Sequence, residues 1–146
     1  MPTDPRLVPL AVTLLRVALG TMFVAHALLK LIDFTLPGTA AFFDSIGLPG
    51  WLAYPVFAAE AVGGVMLLLG IQSRWVALAL FPVLVGATWA HIGNGWVFTG
   101  AGGGWEYPAY LTLLSVAQAM LGDGLWALSP SRPLPLPLLQ RLVPAR

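Results

Sequence analysis

Four long apolar stretches constrain this chain more than any other feature, and they lie at about residues 9–32, 51–71, 74–92 and 106–122. Each is close to the ~20 residues with which an α-helix crosses the ~30 Å hydrocarbon core of a bilayer. Only 9% of the residues are charged, whereas an average soluble domain has about 25%. We therefore predict an all-α integral membrane protein, with one four-helix bundle over residues 1–128 as its single domain.

The first apolar stretch has the position of a signal peptide but not its pattern. Arg16 and His26 interrupt it, and no small-residue cleavage pattern follows it. We interpret it as a retained helix.

The distribution of basic residues predicts which side of the membrane each loop faces. Six of the seven Lys and Arg residues fall toward the end of the bundle that holds both termini and the second loop, and Lys30 falls at the other end. By the positive-inside rule, we expect both termini in the cytoplasm and the first and third loops outside.

Two connecting segments carry helix signals. In the first outer loop, Thr39 is expected to cap a short interfacial helix that carries Phe42, Phe43 and Ile46. The second loop, GIQSR, is so short that the flanking helices must form an antiparallel hairpin, with Ser73 as the cap of the following helix.

The third loop and the C-terminal segment have biased compositions. Six glycines occur between residues 93 and 106, which indicates a flexible or tightly turning lid. Residues 129–146 are proline-rich and basic, and we predict a cytoplasmic tail that touches anionic lipid.

Glu60 stands near the middle of the second apolar stretch, PVFAAEAVGGVMLLLG. An ionised acid at the centre of a bilayer costs roughly 2.5 to 3.5 kcal/mol, so it needs a partner, a proton or a function. Helical spacing places Glu60 on one face with Gly63 and Gly64, which let a neighbouring helix approach. We expect a hydrogen bond to Arg16 or His26, whose depths in the membrane are closest to that of Glu60.

Counting ~1.5 Å per residue from the helix ends brings polar groups from several helices into the outer half of the bundle. Glu60 and His26 are the predicted catalytic residues, because a buried acid and an imidazole can both carry protons. The predicted ligand-binding residues are Lys30, His91, Trp105, Glu106 and Tyr110.

The same residues also have structural interpretations. Arg16 is expected to snorkel inward or to form a structural ion pair with Glu60. His91 lies close to a helix end, where it would serve as a cap, and Trp105 fits the aromatic belt of a membrane surface. Glu60 stays open between a structural ion pair and a proton-handling role.

The chain has no cysteine, which excludes disulfide exchange, iron–sulfur clusters and covalently attached haem c within it. His26 and His91 could in principle ligate haem b or, with carboxylates, a metal. The helices lack the Glu-x-x-His pairing of bundle metal sites, so we expect neither haem nor metal. The net charge of +1 gives no indication of nucleic acid binding.

Four motifs occur in an order that resembles the DoxX family of small bacterial membrane proteins: LLRVALGTMFVAHALLKL, AAEAVGGVMLLLGIQSRW, ATWAHIGNGW and GGGWEYPAYLTLL. The resemblance covers about residues 12–128. It implies a four-helix, multi-pass protein of the bacterial inner membrane, and it implies quinone-linked redox work or a role in oxidative-stress complexes for some relatives.

The residues and the resemblance together favour a quinone-site or anchor subunit of an inner-membrane redox complex. His26, His91 and Tyr110 would donate to the quinone carbonyls, and Glu60 would carry protons. Electrons would come from a soluble or membrane redox partner or from the substrate. The alternatives are a non-catalytic assembly or anchoring protein and a small proton-coupled transporter, and each is compatible with a homo-oligomer.

Overall fold

The protein is described over residues 4–134 in a computed structural model. This part of the chain is helical, with two short 3-10 turns, Gly50–Leu52 and Ile92–Asn94, and five α-helices. The helices are α1 (Leu7–Ile32), α2 (Leu36–Ser45), α3 (Ala53–Leu69), α4 (Ser73–His91) and α5 (Glu106–Leu121). Most of the predicted tail falls on residues 135–146, outside the described residues.

Three helical segments are long and apolar enough to cross a membrane: Leu7–Ile32, Gly50–Leu69 and Ser73–Asn94. α5 has 16 residues, or about 24 Å of helix, and is therefore shorter than the ~30 Å hydrocarbon core. The molecule is a helical membrane protein in contact with lipid, and a fourth crossing by α5 stays a prediction. We call the end with the α3–α4 turn the inner end, and the end with α2 the outer end.

Helices α1 and α3 run antiparallel and pack closely because glycines meet where they touch. A Cβ atom on Gly20 would lie 2.9 Å from the carbonyl oxygen of Gly64, and a Cβ atom on Gly64 would lie 2.9 Å from the backbone nitrogen of Val24. A Cβ atom on Gly63 would lie 2.8 Å from the Leu80 side chain of α4. The prediction that Gly63 and Gly64 admit neighbouring helices is confirmed.

The buried core joins the two helix pairs α1/α3 and α4/α5. Its side chains are aliphatic apart from one phenylalanine, and they are Leu19, Phe23, Leu67, Val76, Leu80, Leu84 and Leu111. α4 continues from Ser73 to His91 although Pro82 lies inside it, where the proline ring removes one backbone hydrogen bond.

The first loop contains a short helix, as predicted, but Thr39 does not cap it. α2 begins at Leu36, and the Thr35 hydroxyl accepts a hydrogen bond from the Gly38 N–H at 3.2 Å. Thr39 lies one turn inside the helix, where its hydroxyl donates to the Thr35 carbonyl at 2.9 Å. Pro37 favours this earlier start, because the first helical turn does not need its missing N–H.

The α3–α4 turn is held by the segment that follows α5. Ser73 does not supply the cap that the sequence predicts; its own backbone N–H donates to the Asp123 carboxylate at 2.8 Å. Ser131 donates to the same carboxylate through its N–H at 2.8 Å and its hydroxyl at 2.9 Å. The start of the predicted tail is therefore packed against the inner end of the molecule.

Candidate functional site

A cavity of about 730 Å³ lies in the outer half of the bundle, within the range of small-molecule sites. Its walls come from α1, α3, α4 and α5, and α2 covers it together with part of the glycine-rich loop. The lining is mostly apolar. The titratable side chains in it are His26, Lys30, Glu60, His91 and Tyr107.

Lys30 and Glu60 form an ion pair at the wall of this cavity. The Lys30 ammonium nitrogen lies 2.7 Å from a Glu60 carboxylate oxygen, and the two side chains are 17% and 8% exposed. It is the one ion pair found within residues 4–134. The prediction that Glu60 bonds to Arg16 or His26 is therefore wrong.

The direction of the Cα–Cβ bonds explains why Lys30 is the partner. Side chains on a helix lean toward the helix N-terminus. Lys30 on α1 therefore leans from the outer rim toward the inner end, and Glu60 on the antiparallel α3 leans toward the outer end, so the two side chains meet. Arg16, also on α1, leans toward the inner end as Lys30 does, but it lies on the inner side of Glu60, so this lean carries it away from Glu60. A count of Cα depths omits both the lean and the length of the lysine side chain.

Arg16 is buried at the inner end, where it lies against the end of α3 instead of pairing with Glu60. It is 2% exposed, and its Nη2 group donates to the Leu125 carbonyl at 3.1 Å. A Cβ atom on Gly70, the residue at which α3 ends, would overlap its guanidinium. A cation is favourable there because the C-terminal end of a helix carries partial negative charge.

The two histidines are held in the same way, through Nδ1. His26 Nδ1 lies 2.9 Å from the Met22 carbonyl oxygen, and His91 Nδ1 lies 2.7 Å from the Ala87 carbonyl oxygen. Since a carbonyl oxygen can only accept, each Nδ1 carries the hydrogen. Nε2 of each ring then accepts a hydrogen bond when the ring is neutral and donates one when it is protonated.

Tyr107 is a cavity residue that is not among the predicted site residues. Its ring stacks on His26, with ring centroids 6.0 Å apart and an interplanar angle of 22°. Tyr107 is on the same face of α5 as Leu111, one turn later, and both line the cavity. That i, i+4 spacing is visible in the sequence, but the partner ring on α1 is not.

Tyr110, by contrast, lies outside the cavity and is 60% exposed. It is roughly 100° around the helix axis from Leu111, which turns its ring away from His26. Tyr107, and not Tyr110, is thus the tyrosine that lines the cavity.

Trp105 and Glu106 also lie outside the cavity, in positions that shape the glycine-rich loop. The Glu106 carboxylate accepts a hydrogen bond from the Phe98 N–H at 2.9 Å, and Phe98 lines the cavity. The Trp105 ring meets Trp96 edge to face, with ring centroids 4.6 Å apart. Both residues connect the loop to the start of α5, and neither lines the cavity.

The glycine-rich loop is closed on itself by specific hydrogen bonds. The Asn94 side-chain amide donates to the carbonyls of Gly102 and Gly103 at 2.9 and 3.0 Å. A Cβ atom on Gly104 would overlap the Trp96 carbonyl oxygen, so a side chain has no room there. Gly103 lies against the His91 ring, and the loop therefore covers the cavity directly above this histidine.

On the opposite side, α2 covers the cavity with aromatic side chains. Phe42 and Phe43 line the cavity, and their rings meet at a centroid distance of 6.2 Å. The predicted interfacial helix is thus also part of the site. Within residues 4–134, no group of three or more His, Asp or Glu residues is placed to hold a metal ion.

The sequence profile of the DoxX family matches residues 11–93, which include His26, Lys30, Glu60 and His91. The chain is also 35% identical over 123 residues to a protein of Bacillus subtilis (strain 168) that is named "Putative oxidoreductase CatD". This alignment covers 80% of the chain and 83% of the relative. No solved structure matches the chain.

Proposed function

The chain belongs to the DoxX family, and from this premise we propose that it is a quinone-site or anchor subunit of a redox complex in the bacterial inner membrane. It crosses the membrane several times, with both termini in the cytoplasm and the cavity in the outer half. The name of the Bacillus relative supports a redox role. The single observation that carries the proposal is the Lys30–Glu60 ion pair at the wall of a largely apolar cavity.

A quinone head group fits the chemistry of this lining. It is flat and largely apolar, which suits the aromatic and aliphatic walls, and its carbonyls need hydrogen-bond donors. The Lys30 ammonium donates to Glu60 at 2.7 Å and has further hydrogens for a ligand carbonyl. The Tyr107 hydroxyl is a second donor beside His26.

Reduction of a quinone takes up protons, and the lining contains groups that can exchange them. Glu60 is the proposed proton carrier, with Lys30 holding its carboxylate in place. Each histidine can receive a proton at Nε2, because Nδ1 is occupied by a backbone carbonyl. The chain has no cysteine, and we assign electron delivery to a soluble or membrane redox partner or to the substrate.

A matched pair of tyrosine variants tests the ligand site. A quinone with one isoprene unit should raise the melting temperature of the detergent-solubilised protein, because a ligand that binds only the folded state stabilises it. Tyr107→Phe should weaken binding by about 1 kcal/mol, or several-fold in Kd. Tyr110→Phe is the control on the same helix and should bind as wild type does. If no quinone head group stabilises the wild-type protein, the site proposal is wrong.

A second experiment addresses the proton role. Glu60→Gln keeps an oxygen that can accept from Lys30 but removes the titration. It should fold and bind the quinone, yet impair proton-coupled turnover in a reconstituted complex. Unchanged turnover at every pH would rule out Glu60 as the proton carrier.

The assembly alternative has one observation in its favour. The Lys30–Glu60 pair bridges α1 and α3. A buried ion pair can fix the register of two helices without taking part in any chemistry. In that case no quinone should stabilise the protein, and Glu60→Gln should act through lost stability or lost recovery of a partner subunit.

A further inference from the structure

An apolar groove of about 350 Å³ runs between α3 and α4 toward the inner end. On α3 it is lined by Ala59, Val62 and Met66, and on α4 by Ala79 and Leu80. Val62 is 60% exposed, so the groove is open on the side that faces lipid.

The groove begins where the cavity ends. On α3, the cavity residue Glu60 is adjacent to the groove residue Ala59 in sequence. On α4, the cavity residue Pro82 comes one turn after the groove residue Ala79. The same helix pair thus lines both spaces, one above the other.

Helices α3 and α4 make a less extensive contact with each other than each makes with its main neighbour. α3 packs mainly against α1, and α4 packs mainly against α5. A Cβ atom on Gly86, in the cavity wall of α4, would meet nothing within 4 Å. The outer halves of both helices, with Val56 on α3 and Val83 on α4, line the cavity.

We propose that the boundary between the outer halves of α3 and α4 is a lateral portal and that the groove holds the polyprenyl tail of the ligand. This inference rests on the proposed function, and it assigns the ligand to lipid-tailed quinones that enter from the bilayer. A cavity of about 730 Å³ can enclose a head group but not a long tail as well. The other covers, α2 and the glycine-rich loop, face the polar outer surface, which an apolar tail avoids.

Two groove-filling variants, each with a control on its own helix, test the portal. Ala79→Trp and Val62→Trp place an indole in the groove. The controls Leu78→Trp and Val65→Trp place one on the lipid-exposed surface of the same helices, outside the groove. The probes are two quinones with one head group, bearing either one isoprene unit or a long polyprenyl tail, and binding is measured in lipid nanodiscs.

The groove variants should weaken binding of the long-tailed quinone about tenfold, as steric overfilling of a packed site does. They should leave binding of the short-tailed quinone within about twofold, because the head-group cavity is untouched. Both controls should bind both probes as wild type does. Because the substituted side chains face lipid, we expect all four variants to fold. Normal binding of the short-tailed quinone is the check that they do.

The outcomes separate the two proposals. If wild type binds both probes and the groove variants bind the long-tailed quinone normally, the portal is wrong and the head-group site stands. Equal weakening of both probes in the groove variants also contradicts the portal. If wild type binds neither probe, the proposed function fails and the portal fails with it.

Discussion

Lys30 and Glu60 behave as one unit at the scale of single residues. Both side chains are mostly withdrawn from solvent, and their charged atoms are 2.7 Å apart. Removing one partner of a buried pair leaves a charge without compensation, which costs more than replacing both partners by apolar groups. The energetic role of either residue is therefore visible only when the two are varied together.

We expect Lys30→Met to lower the free energy of unfolding by about 3 kcal/mol, because it leaves the Glu60 carboxylate buried and unpaired. The double variant Lys30→Met/Glu60→Leu should recover most of that loss. Unfolding of all four proteins of the double-mutant cycle in mixed micelles measures the coupling. Strictly additive single effects would show that the two residues do not stabilise each other.

At the scale of helices, the α1–α3 contact depends on the absence of side chains. The Gly20 and Gly64 backbones approach so closely that a methyl group on either would meet main-chain atoms at about 2.9 Å. Main-chain atoms cannot rotate away, so the helices themselves would have to separate. Because Lys30 and Glu60 lie on these same helices, their ion pair depends on this contact.

Gly64→Ala should therefore destabilise the protein by about 1–3 kcal/mol through overpacking. Gly86→Ala is the matched control, because its new methyl group meets nothing within 4 Å and alanine favours helix by about 0.8–1.0 kcal/mol. The difference in melting temperature between the two variants is the measurement. Equal stability of the two variants would contradict the close approach of α1 and α3.

At the inner end, Asp123 connects the segment after α5 to the start of α4, which it caps from a distant part of the chain. Burial raises the pKa of this carboxyl, but the hydrogen bonds from Ser131 and Ser73 lower it by a larger amount. The net pKa is therefore below its ordinary value. A carboxyl whose pKa is lower in the folded state stabilises the fold above its unfolded pKa. That stabilisation is lost as the pH falls through the folded value.

Asp123→Asn should cost about 1 kcal/mol at neutral pH, because the amide keeps one acceptor oxygen where the carboxylate uses two, one for the Ser73 N–H and one for the Ser131 N–H. Since the ordinary pKa of aspartate is about 3.9, the stability difference between wild type and Asp123→Asn should be constant above that pH and shrink below it. Melting temperatures of both proteins from neutral to strongly acidic pH provide the test. A difference that is independent of pH would show that the carboxylate charge is not involved.

At the scale of the whole molecule, charge and hydropathy determine how the bundle is oriented in the membrane. Arg16 and Arg74 both lie at the inner end, and Arg74 donates to the Ala119 carbonyl at 2.8 Å. Lys30 is at the outer end, where its ammonium is bound to Glu60. Among the basic residues that the structure describes, all but Lys30 lie toward the inner end, which is the distribution that the positive-inside rule predicts for termini in the cytoplasm.

The chain has no cysteine, so single cysteines report its orientation without background. We expect a membrane-impermeant thiol reagent to label Ala101→Cys, in the exposed glycine-rich loop, on intact cells. Pro133→Cys, exposed after α5, should be labelled only after the cells are opened. The reverse pattern would place the cavity on the cytoplasmic side.

The helical architecture was largely predictable from the sequence because hydropathy and the signals that start and stop helices depend on local sequence. The three spans, the short helix in the first loop and the close approach at Gly64 each depend on residues within one segment. The two caps were not predictable in the same way. Thr35 caps α2 one turn before the predicted Thr39, and the α4 cap Asp123 lies 50 residues from Ser73 along the chain.

For the site, the sequence by itself determined that a buried acid, two histidines and a lysine would lie in apolar helices, because their positions within each span are set by counting. Only the tertiary structure decided which of them meet. Antiparallel packing of α1 and α3 makes Lys30 and Glu60 lean toward each other and Arg16 lean away. The rotation of α5 puts Tyr107 on His26 and turns Tyr110 outward. Partner choice depends on helix direction and rotation, which no single segment encodes.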